Sequence, residues 1–366
     1  MKILYYPPKT DNNIAIRIWK DCIESLGIKV FPLQKNIKYI LTTKVNAVYL
    51  QWFENLPPNK YKAFFMYIIK ICMILFFKQR KYSIYFVMHN KMPHDKNNLQ
   101  LSKSLLKLIL LKADSILILS QITTQEIHHI LKKKYFKKNI RSKIHYLPHP
   151  NYININTYST NYNSLFTRQS LNIKEDDFVY LFLGQVRQYK NIELLIEVFN
   201  KLNLPKSKLI IAGKVESDSY KKQIDSIINN NNIITIFDFI PDEQLPFLIK
   251  LSDIMVYPLD LQSSLNSGAI YLAFSNGKSV ISPIIGTVLD IKNYQSLLYS
   301  YNYQSKNEHL HNLMKQMKKC YEENYDDRTE LIKKGSTLLE YMKEEHSIEN
   351  IKTAYSKIFN NKIKEH

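Results

Sequence analysis

Arg187 and Lys190 follow a single glycine, Gly184, at the end of a short apolar run from Phe178 to Leu183. The stretch ends at Asn191, and after it apolar residues recur with the 3.6-residue period of a helix. This pattern predicts a strand, a tight turn and a helix. Glycine lets the backbone come close to a ligand, and the free N–H groups of a helix start attract anions. Two cations beside such a turn favour a diphosphate as the ligand.

A plain connection between a strand and a helix has the same pattern, so this turn alone does not establish a site. It contains neither G-x-G-x-x-G nor G-x-x-x-x-G-K-[ST], which argues against dinucleotide and P-loop sites. Three further segments follow predicted strands: Gly213-Lys214, Phe239-Ile240-Pro241 and Asn266-Ser267-Gly268. The last of these suits a phosphate or sugar hydroxyls, although Ser and Asn are also common helix caps. Together the four segments predict a nucleotide-diphosphate site.

A second candidate site follows the predicted strand Ser83 to Met88, which leads to His89, His94 and Asp95. In open α/β sheets the carboxyl ends of the strands face the ligand crevice. Asp95 is the candidate general base, with His94 and His89 nearby. The alternative is that the two histidines are loop or capping residues.

The elements that position these residues alternate between strands and helices. Strands are predicted in the first half at residues 2–6, 29–33, 47–52, 83–88 and 116–119, and in the second half at 178–183, 208–212, 233–237, 254–257 and 279–282. Helical patterns lie between them, and one of these, over residues 13–26, ends at Gly27. This alternation predicts an α/β protein with parallel, doubly wound sheets.

The chain of 366 residues is long enough for two domains. An irregular segment rich in Asn, Ser, Thr and Tyr, residues 153–172, is the predicted interdomain linker. We therefore expect an N-terminal domain at residues 1–160, a C-terminal domain at 161–340 and a C-terminal helix at 341–366. The helical, charged pattern at the C-terminus covers residues 338–364.

Charge and glycine are both distributed unevenly. Residues 1–165 contain 26 Lys and Arg against 7 Asp and Glu, which leaves 25 of each for residues 166–366, so the whole net charge of +19 lies in the first half. Such asymmetry implies an anionic partner for that half: a membrane surface, a nucleic acid or a phosphorylated substrate. The chain has only 7 glycines, and five of them fall between residues 184 and 286, where the backbone must turn tightly or approach a ligand.

Two basic segments are candidates for contact with a membrane. Residues 63–77 are apolar except for Lys70, and Lys78, Arg80 and Lys81 follow them. As a helix this run spans only about 22 Å, which is short of a bilayer core, so it is either a buried core helix or a helix in the membrane interface. The second segment begins with Lys132, Lys133 and Lys134; it is either a solvated helix end or a headgroup site.

Three scattered cysteines, Cys22, Cys72 and Cys320, suggest neither a disulfide framework nor a zinc site. The first residues resemble a strand and not a signal peptide. We therefore expect a cytoplasmic protein, peripheral at the inner face of the cytoplasmic membrane.

Several motifs carry a resemblance to a known family. In order, they are FLGQVRQYKN, LIIAGK, FIPDEQLPFLIKLSDIMVYPL and NSGAIYLAFSNGKSVISP. This series resembles the donor domain of GT-B-fold glycosyltransferases of the group 1, family 4-like type. The resemblance is close over about residues 178–290 and looser for VYLQWFE, VMHNKMPHD and YLPHPNY in the first half. It implies two Rossmann-like domains that face a cleft, with the C-terminal helix crossing back to the N-terminal domain.

The resemblance also implies roles for the residues singled out above. Gly184 would open the turn near the donor diphosphate, and Arg187 and Lys190 would neutralise its charge beside Gly213-Lys214. Phe239, Ile240 and Pro241 would flank the nucleotide base. Asn266, Ser267 and Gly268 would meet the diphosphate and the sugar, with Asn191 at the end of the basic turn.

The chain departs from the family at one point. Many retaining members carry two glutamates eight residues apart before the turn at Gly277, and the corresponding positions here hold Ser264 and Leu272. The departure favours an inverting reaction. No DxD-like run lies at a predicted site, and cations can replace a metal, so we expect no metal and no cofactor besides the nucleotide-sugar co-substrate.

The function expected from the sequence is transfer of a hexose from a UDP- or GDP-sugar to a lipid-linked or cell-envelope saccharide in polysaccharide biosynthesis. A non-catalytic, nucleotide-binding scaffold in a polysaccharide assembly complex is the alternative, because the two glutamates are missing. Nucleic-acid binding is a remote alternative, because no helix-turn-helix, zinc-finger or RNP-like pattern accompanies the positive charge.

Overall fold

The computed structural model describes residues 1–7, 13–33, 45–91, 98–136, 138–154 and 165–363. Two compact units divide the chain. Unit 1 comprises Met1–Pro150, Gln262–Asn266 and His346–His366, and unit 2 comprises Asn151–Leu261 and Ser267–Glu345. The boundary expected at residue 160 lies outside the described residues.

Unit 1 contains a parallel sheet of six strands with helices between them. Its strands are β1 (Lys2–Tyr6), β2 (Lys29–Pro32), β3 (Ala47–Gln51), β4 (Ser83–Met88), β5 (Ser115–Ile118) and β6 (Ile144–Tyr146). Its helices up to β6 are α1 (Ile14–Ser25), α2 (Lys60–Gln79), α3 (Leu99–Lys112), α4 (Thr123–Tyr135) and α5 (Lys138–Arg141). The strand order is β2-β1-β3-β4-β5-β6, so the chain reverses direction across the sheet between β1 and β3.

Unit 2 contains a second parallel sheet of six strands. Its strands are β7 (Phe178–Leu183), β8 (Ser207–Ala212), β9 (Ile233–Ile236), β10 (Ile254–Val256), β11 (Val280–Pro283) and β12 (Tyr299–Tyr301). Its helices are α6 (Ile192–Leu202), α7 (Asp218–Ile227), α8 (Leu245–Leu251), α9 (Gly268–Ser275), α10 (Gly286–Asp290), α11 (Lys306–Asn324) and α12 (Thr329–Glu345). The order β12-β11-β10-β7-β8-β9 places the reversal between β7 and β10.

The final helix, α13 (Ile348–Ile363), belongs to unit 1. The Tyr49 and Tyr355 hydroxyls lie 2.8 Å apart in the core of that unit, and Tyr355 stacks on Phe359. The α/β class, the two doubly wound sheets and the return of the last helix to the N-terminal domain are therefore confirmed. The helical pattern over residues 338–364 is divided between two helices, since α12 ends at Glu345 and the C-terminal helix, expected from residue 341, begins at Ile348.

The strands fold as sheets because their side chains are apolar on both faces. Every residue of β3, β5, β7, β10 and β11 is buried. Such continuous apolar runs are typical of parallel strands that helices cover on both faces. The carboxyl ends of each sheet then form one edge, and in this architecture ligands bind beside the point where the strand order reverses.

Candidate functional site

The candidate donor site in unit 2 is built where β7 and β8 end. Gly184 and Gly213 follow these two strands, with φ of 149° and 139°. A Cβ atom on Gly213 would lie 2.0 Å from the carbonyl oxygen of Gly184, so no other residue fits there without moving the backbone. Beyond the glycines the two loops stay paired, since the Val186 N–H donates to the Lys214 carbonyl at 3.0 Å. Two backbones are thus held in close contact at the edge where ligands bind.

The basic turn begins at the reversal point of the sheet, between β7 and β10. A short 3₁₀ turn, Gln188–Lys190, leads to Asn191, which is left-handed at φ 53° and begins α6. The Asn191 side-chain amide donates to the Pro258 carbonyl at 2.8 Å and so ties the turn to the loop after β10. Within the described part of the chain, Arg187 and Lys190 form no ion pair. Their charges are therefore available to an anion.

The segment after β9 presents one large aromatic side chain to solvent. Phe239 is 61% exposed, whereas Ile240 is buried and anchors the segment. Pro241 precedes the 3₁₀ turn Asp242–Gln244. An exposed aromatic ring on an anchored segment is a suitable surface for a nucleotide base.

The start of α9 contains polar atoms that the protein leaves unsatisfied. Ser267 is the N-cap, and its backbone N–H donates to the Thr287 hydroxyl at 3.0 Å. Its own hydroxyl is buried, makes no hydrogen bond with any described residue and does not cap the helix. The preceding Asn266, which is part of unit 1, donates from its side chain to the His89 carbonyl at 3.1 Å, while its buried Oδ1 has no hydrogen-bond partner in the described part of the chain. Buried polar atoms without partners are uncommon and mark positions where a ligand can supply them.

His89 follows β4 in unit 1 and is held in a fixed orientation. Its Nε2 lies 2.8 Å from Oε1 of Gln51, and its ring stacks on Trp52 with 3.9 Å between the ring centroids. Burial, with a smaller effect of His149, lowers the pKa of His89 to about 3. Because an imidazole with so low a pKa is a poor base at neutral pH, these surroundings argue against proton transfer by His89. The companions expected from the sequence, His94 and Asp95, lie outside the described residues.

Glu54 is a titratable group at the same edge that sequence analysis did not single out. It follows β3, beside the reversal point of unit 1, and is buried, and among the residues that the structure describes its Oε2 has no hydrogen-bond partner. Burial raises its pKa to about 7, and the charge of Lys70 opposes part of that rise. A carboxyl group with a pKa near 7 is suited to general base catalysis. The signal in the sequence was an acidic residue three positions after the end of an apolar strand.

Lys70 is the charged residue within the apolar run of α2, and it points inward. Its Nζ donates to the carbonyls of Phe53 at 2.9 Å and Asn55 at 2.7 Å, and it lies 4.9 Å from the centre of the Phe53 ring. Burial, opposed by Glu54, lowers its pKa to about 8. Lys70 therefore ties α2 to the loop that carries Glu54.

The predicted membrane cations have different surroundings. Lys78 binds both carboxylate oxygens of Asp114 at 3.0 Å, so much of its charge is already paired. Arg80 and Lys81 are exposed at the end of α2. Lys132 is exposed in α4, and Lys133 and Lys134 belong to the same helix.

The described ranges contain neither a cluster of metal-binding side chains nor a helix fit to span a membrane. No three His, Cys, Asp or Glu side chains there are grouped so that they could hold a metal ion. None of the helices in those ranges has the length and continuous apolar character that a bilayer-spanning segment needs.

One protein-family model matches most of unit 2. Residues 163–336 match the family model described as glycosyl transferases group 1. An uncharacterized glycosyltransferase of Methanocaldococcus jannaschii is 26% identical over 126 residues, which are 34% of this chain and 32% of the relative. The match thus spans about a third of the relative's length. The resemblance found in the sequence is confirmed.

Solved structures match over nearly the whole chain. HepE of Anabaena in complex with UDP-glucose has a TM-score of 0.68 at 13% identity, with 99% of this chain and 100% of that chain covered. Sucrose-phosphate synthase of Thermosynechococcus elongatus has a TM-score of 0.71 at 13% identity, with 100% and 99% covered. At these identities the similarity establishes the fold, which is the two-sheet GT-B fold expected from the sequence.

Proposed function

We propose that this chain, whose residues 163–336 are a group 1 glycosyltransferase domain, transfers a hexose from a nucleotide diphosphate sugar to a lipid-linked or cell-envelope saccharide. The observation that carries the proposal is the basic turn of unit 2. Gly184 and Gly213 bring two backbones together there. Arg187 and Lys190 lie beside them and form no ion pair with any residue that the structure describes. That HepE forms a complex with UDP-glucose makes UDP the first nucleotide to test, with GDP as the alternative.

The reaction requires stabilisation of the leaving group and removal of one proton. The acceptor hydroxyl oxygen attacks the anomeric carbon, and the bond from that carbon to the diphosphate oxygen breaks. The departing nucleoside diphosphate keeps the bonding electrons, and Arg187, Lys190 and the start of α9 stabilise its charge. A carboxylate takes the proton of the acceptor hydroxyl. Asp95 remains the residue proposed from the sequence, and the displaced pKa of Glu54 makes it a second candidate.

The reaction is proposed to need no metal ion and to invert the anomeric centre. Two cations beside the diphosphate can supply the charge that a divalent ion would provide. Inversion is favoured because Ser264 and Leu272 occupy the positions of the two family glutamates. The same absence supports the second candidate function, a scaffold that binds nucleotide without turnover.

Thermal stabilisation by nucleotides tests the donor site. UDP, GDP, ADP and their sugars would each be added to the full chain, with and without EDTA. We expect a higher melting temperature with one nucleotide family and no effect of EDTA. Replacing Arg187 and Lys190 together with alanine should weaken binding of that nucleotide on the order of a hundredfold, because each charge-assisted hydrogen bond contributes about 1.5–3 kcal/mol.

Lys250→Ala is the matched control, because Lys250 is an exposed cation of unit 2 at the end of α8. It should bind the nucleotide as the wild type does. No stabilisation by any nucleotide in folded protein would refute the donor site. Binding without transfer to crude lipid acceptors would favour the scaffold.

A further inference from the structure

Helix α2 has apolar side chains on its exposed face as well as on its buried face. Ala63, Ile74 and Phe77 are buried in the core of unit 1. Of the nine large hydrophobic side chains that are exposed in the described ranges, five belong to this helix. The exposed residues between Phe64 and Leu75 carry no charge: they are Phe64, Phe65, Ile68, Cys72 and Leu75. We call these five residues the α2 stripe.

The α2 stripe follows the helical repeat along one side of the helix. Phe65, Ile68, Cys72 and Leu75 are spaced by three or four residues, which places them above one another on a helix surface. From Phe64 to Leu75 the stripe is about 16 Å long. The charged residue in this part of the helix, Lys70, is directed into the protein and interrupts the buried face only. The exposed apolar surface is therefore continuous.

Cations stand at both ends of the α2 stripe. Lys60 and Lys62 precede it, and Arg80 and Lys81 follow it, all of them exposed. No acidic residue occurs in the sequence from residue 55 to residue 94. A long apolar surface is unusual on a soluble face, and one bordered by cations is complementary to the hydrocarbon and the anionic headgroups of a membrane.

A groove extends this surface at its amino-terminal end. The first turn of α2 and the first turn of α3 line it, and its apolar side chains are Tyr61, Phe64, Leu99 and Leu101. Its volume is about 620 Å³. The apolar surface thus continues from one helix to the next and is wider than a single row of side chains.

We propose that the α2 stripe inserts into the hydrocarbon boundary of an anionic bilayer, with α2 lying parallel to the membrane plane. The helix is too short in its apolar part to span, but an amphipathic helix can bury one face several ångströms into the interface. The inference deepens the proposed function and rests on its lipid-linked acceptor, which a membrane would hold. It adds that insertion of side chains, and not charge alone, holds unit 1 to the lipid.

Cys72 provides the probe for insertion, because it is exposed in the middle of the stripe while Cys22 and Cys320 are buried. Burial also raises the pKa of the Cys22 thiol to about 11, which slows its labelling. An environment-sensitive fluorophore would be attached to Cys72 of the full chain. The labelled protein would be mixed with vesicles of phosphatidylcholine and phosphatidylglycerol, with and without brominated acyl chains.

Insertion predicts a blue-shifted emission and quenching by the brominated chains. Both should persist at about 1 M salt, where the Debye length falls to roughly 3 Å and charge attraction is screened. Phe65→Ser with Leu75→Ser should lower the vesicle partition coefficient by roughly tenfold for each side chain. Ile332→Ser is the matched control: Ile332 is 64% exposed in unit 2, close to the 67% of Phe65, and its loss should leave partition unchanged.

Two outcomes would overturn the inference. One is a label that stays in water on vesicles or leaves them at high salt, which would mean that the basic residues alone hold the protein. The other is a blue shift without vesicles together with a doubled mass in solution, which would mean that a second copy covers the stripe. Nucleotide binding is measured separately, so a failed donor site and a failed insertion surface give different results.

Discussion

The two units have the same architecture but use the reversal point of the sheet differently. In unit 2 the residues beside β7 are two glycines and two half-buried cations, Arg187 and Lys190, so the backbone comes close to a ligand and the positive charge does not depend on pH near neutrality. In unit 1 the residues beside β3 and β4 are Glu54 and His89, which are buried and whose pKa values are displaced. The sheet edge of unit 2 is thus suited to binding an anion, and the sheet edge of unit 1 to proton transfer.

The difference reflects what each kind of site requires. A diphosphate is charged before it arrives, so glycine turns and cations suffice to bind it. A group that exchanges a proton near neutral pH must be moved from its ordinary pKa, and burial is the means available here. We therefore expect the stability of unit 2 to depend on its backbone conformation and the stability of unit 1 to depend on pH.

Gly213→Ala should have the largest effect. The new Cβ would lie 2.0 Å from the Gly184 carbonyl oxygen, and φ at this position is 139°. Steric overlap and an unfavourable φ together should lower the unfolding free energy of unit 2 by about 5 kcal/mol and abolish nucleotide binding. Hydrogen exchange of β7 and β8, followed by mass spectrometry, would measure the loss.

Gly27→Ala is the matched control in unit 1. Gly27 also has a positive φ, 76°, but nothing lies within 4 Å of its Cβ position. It should cost only about 1–2 kcal/mol. Both tryptophans, Trp19 and Trp52, belong to unit 1, so their fluorescence reports that unit alone. The opposing result is an effect of Gly213→Ala on the unfolding transition of unit 1, seen by fluorescence, that is as strong as its effect on hydrogen exchange in unit 2. That result would mean that the two units unfold together, and it would contradict the difference expected between them.

Acid should destabilise unit 1 more than unit 2. Burial lowers the pKa of His89 and His149 to about 3 and of His346 to about 4, from 6.5. The unfolded chain therefore binds more protons between about pH 4 and 6.5, and stability falls as pH falls through that window, by about 2 kcal/mol for each histidine at pH 5. Glu54, with its raised pKa, offsets about 2 kcal/mol, which leaves a net loss of about 4 kcal/mol.

In the described part of unit 2 one histidine, His309, has a comparable shift, to about 4. Its expected loss is about 2 kcal/mol at pH 5. Urea unfolding of unit 1, followed by tryptophan fluorescence between pH 5 and 7, measures the first value, and hydrogen exchange in unit 2 measures the second. Equal losses of stability in the two units would contradict the expectation that acid destabilises unit 1 more than unit 2.

The sequence predicted the sheets well because apolar strands are local patterns. β1, β4 and β7 begin and end at the predicted residues. β5 and β11 are shifted by one residue at both ends, and the other predicted strands differ by one residue at one end. β6 and β12 were not predicted; each has only three residues at a sheet edge, where pairing with a neighbour decides the conformation.

The candidate site divides in the same way. The turn at Gly184 was predicted because its glycine and its cations can be read directly from the sequence. The contact between Gly213 and Gly184 was not predicted, because it depends on how two strands are placed side by side. The displaced pKa values of Glu54 and Lys70 were also missed, since burial comes from residues distant in the chain. The sequence thus identifies charged side chains more easily than it identifies buried groups whose pKa values are displaced.

Glu54→Gln should have the smallest effect, and it tests the buried carboxyl group of unit 1 most directly. The folded carboxyl group has a pKa of about 7 against an ordinary 4.5, so the folded state keeps a proton that the unfolded state loses, and wild-type stability falls as pH rises through this window. The variant lacks that loss. Relative to wild type, unit 1 of the variant should therefore gain about 2 kcal/mol between pH 5 and pH 8, as measured by urea unfolding with tryptophan fluorescence. Glu24→Gln, which removes a partly exposed carboxyl group paired with Lys20 on the surface of α1, should show almost no such gain. A gain of equal size in both variants would mean that the Glu54 carboxyl group titrates as a surface carboxyl group does. Glu54 would then be deprotonated near neutral pH.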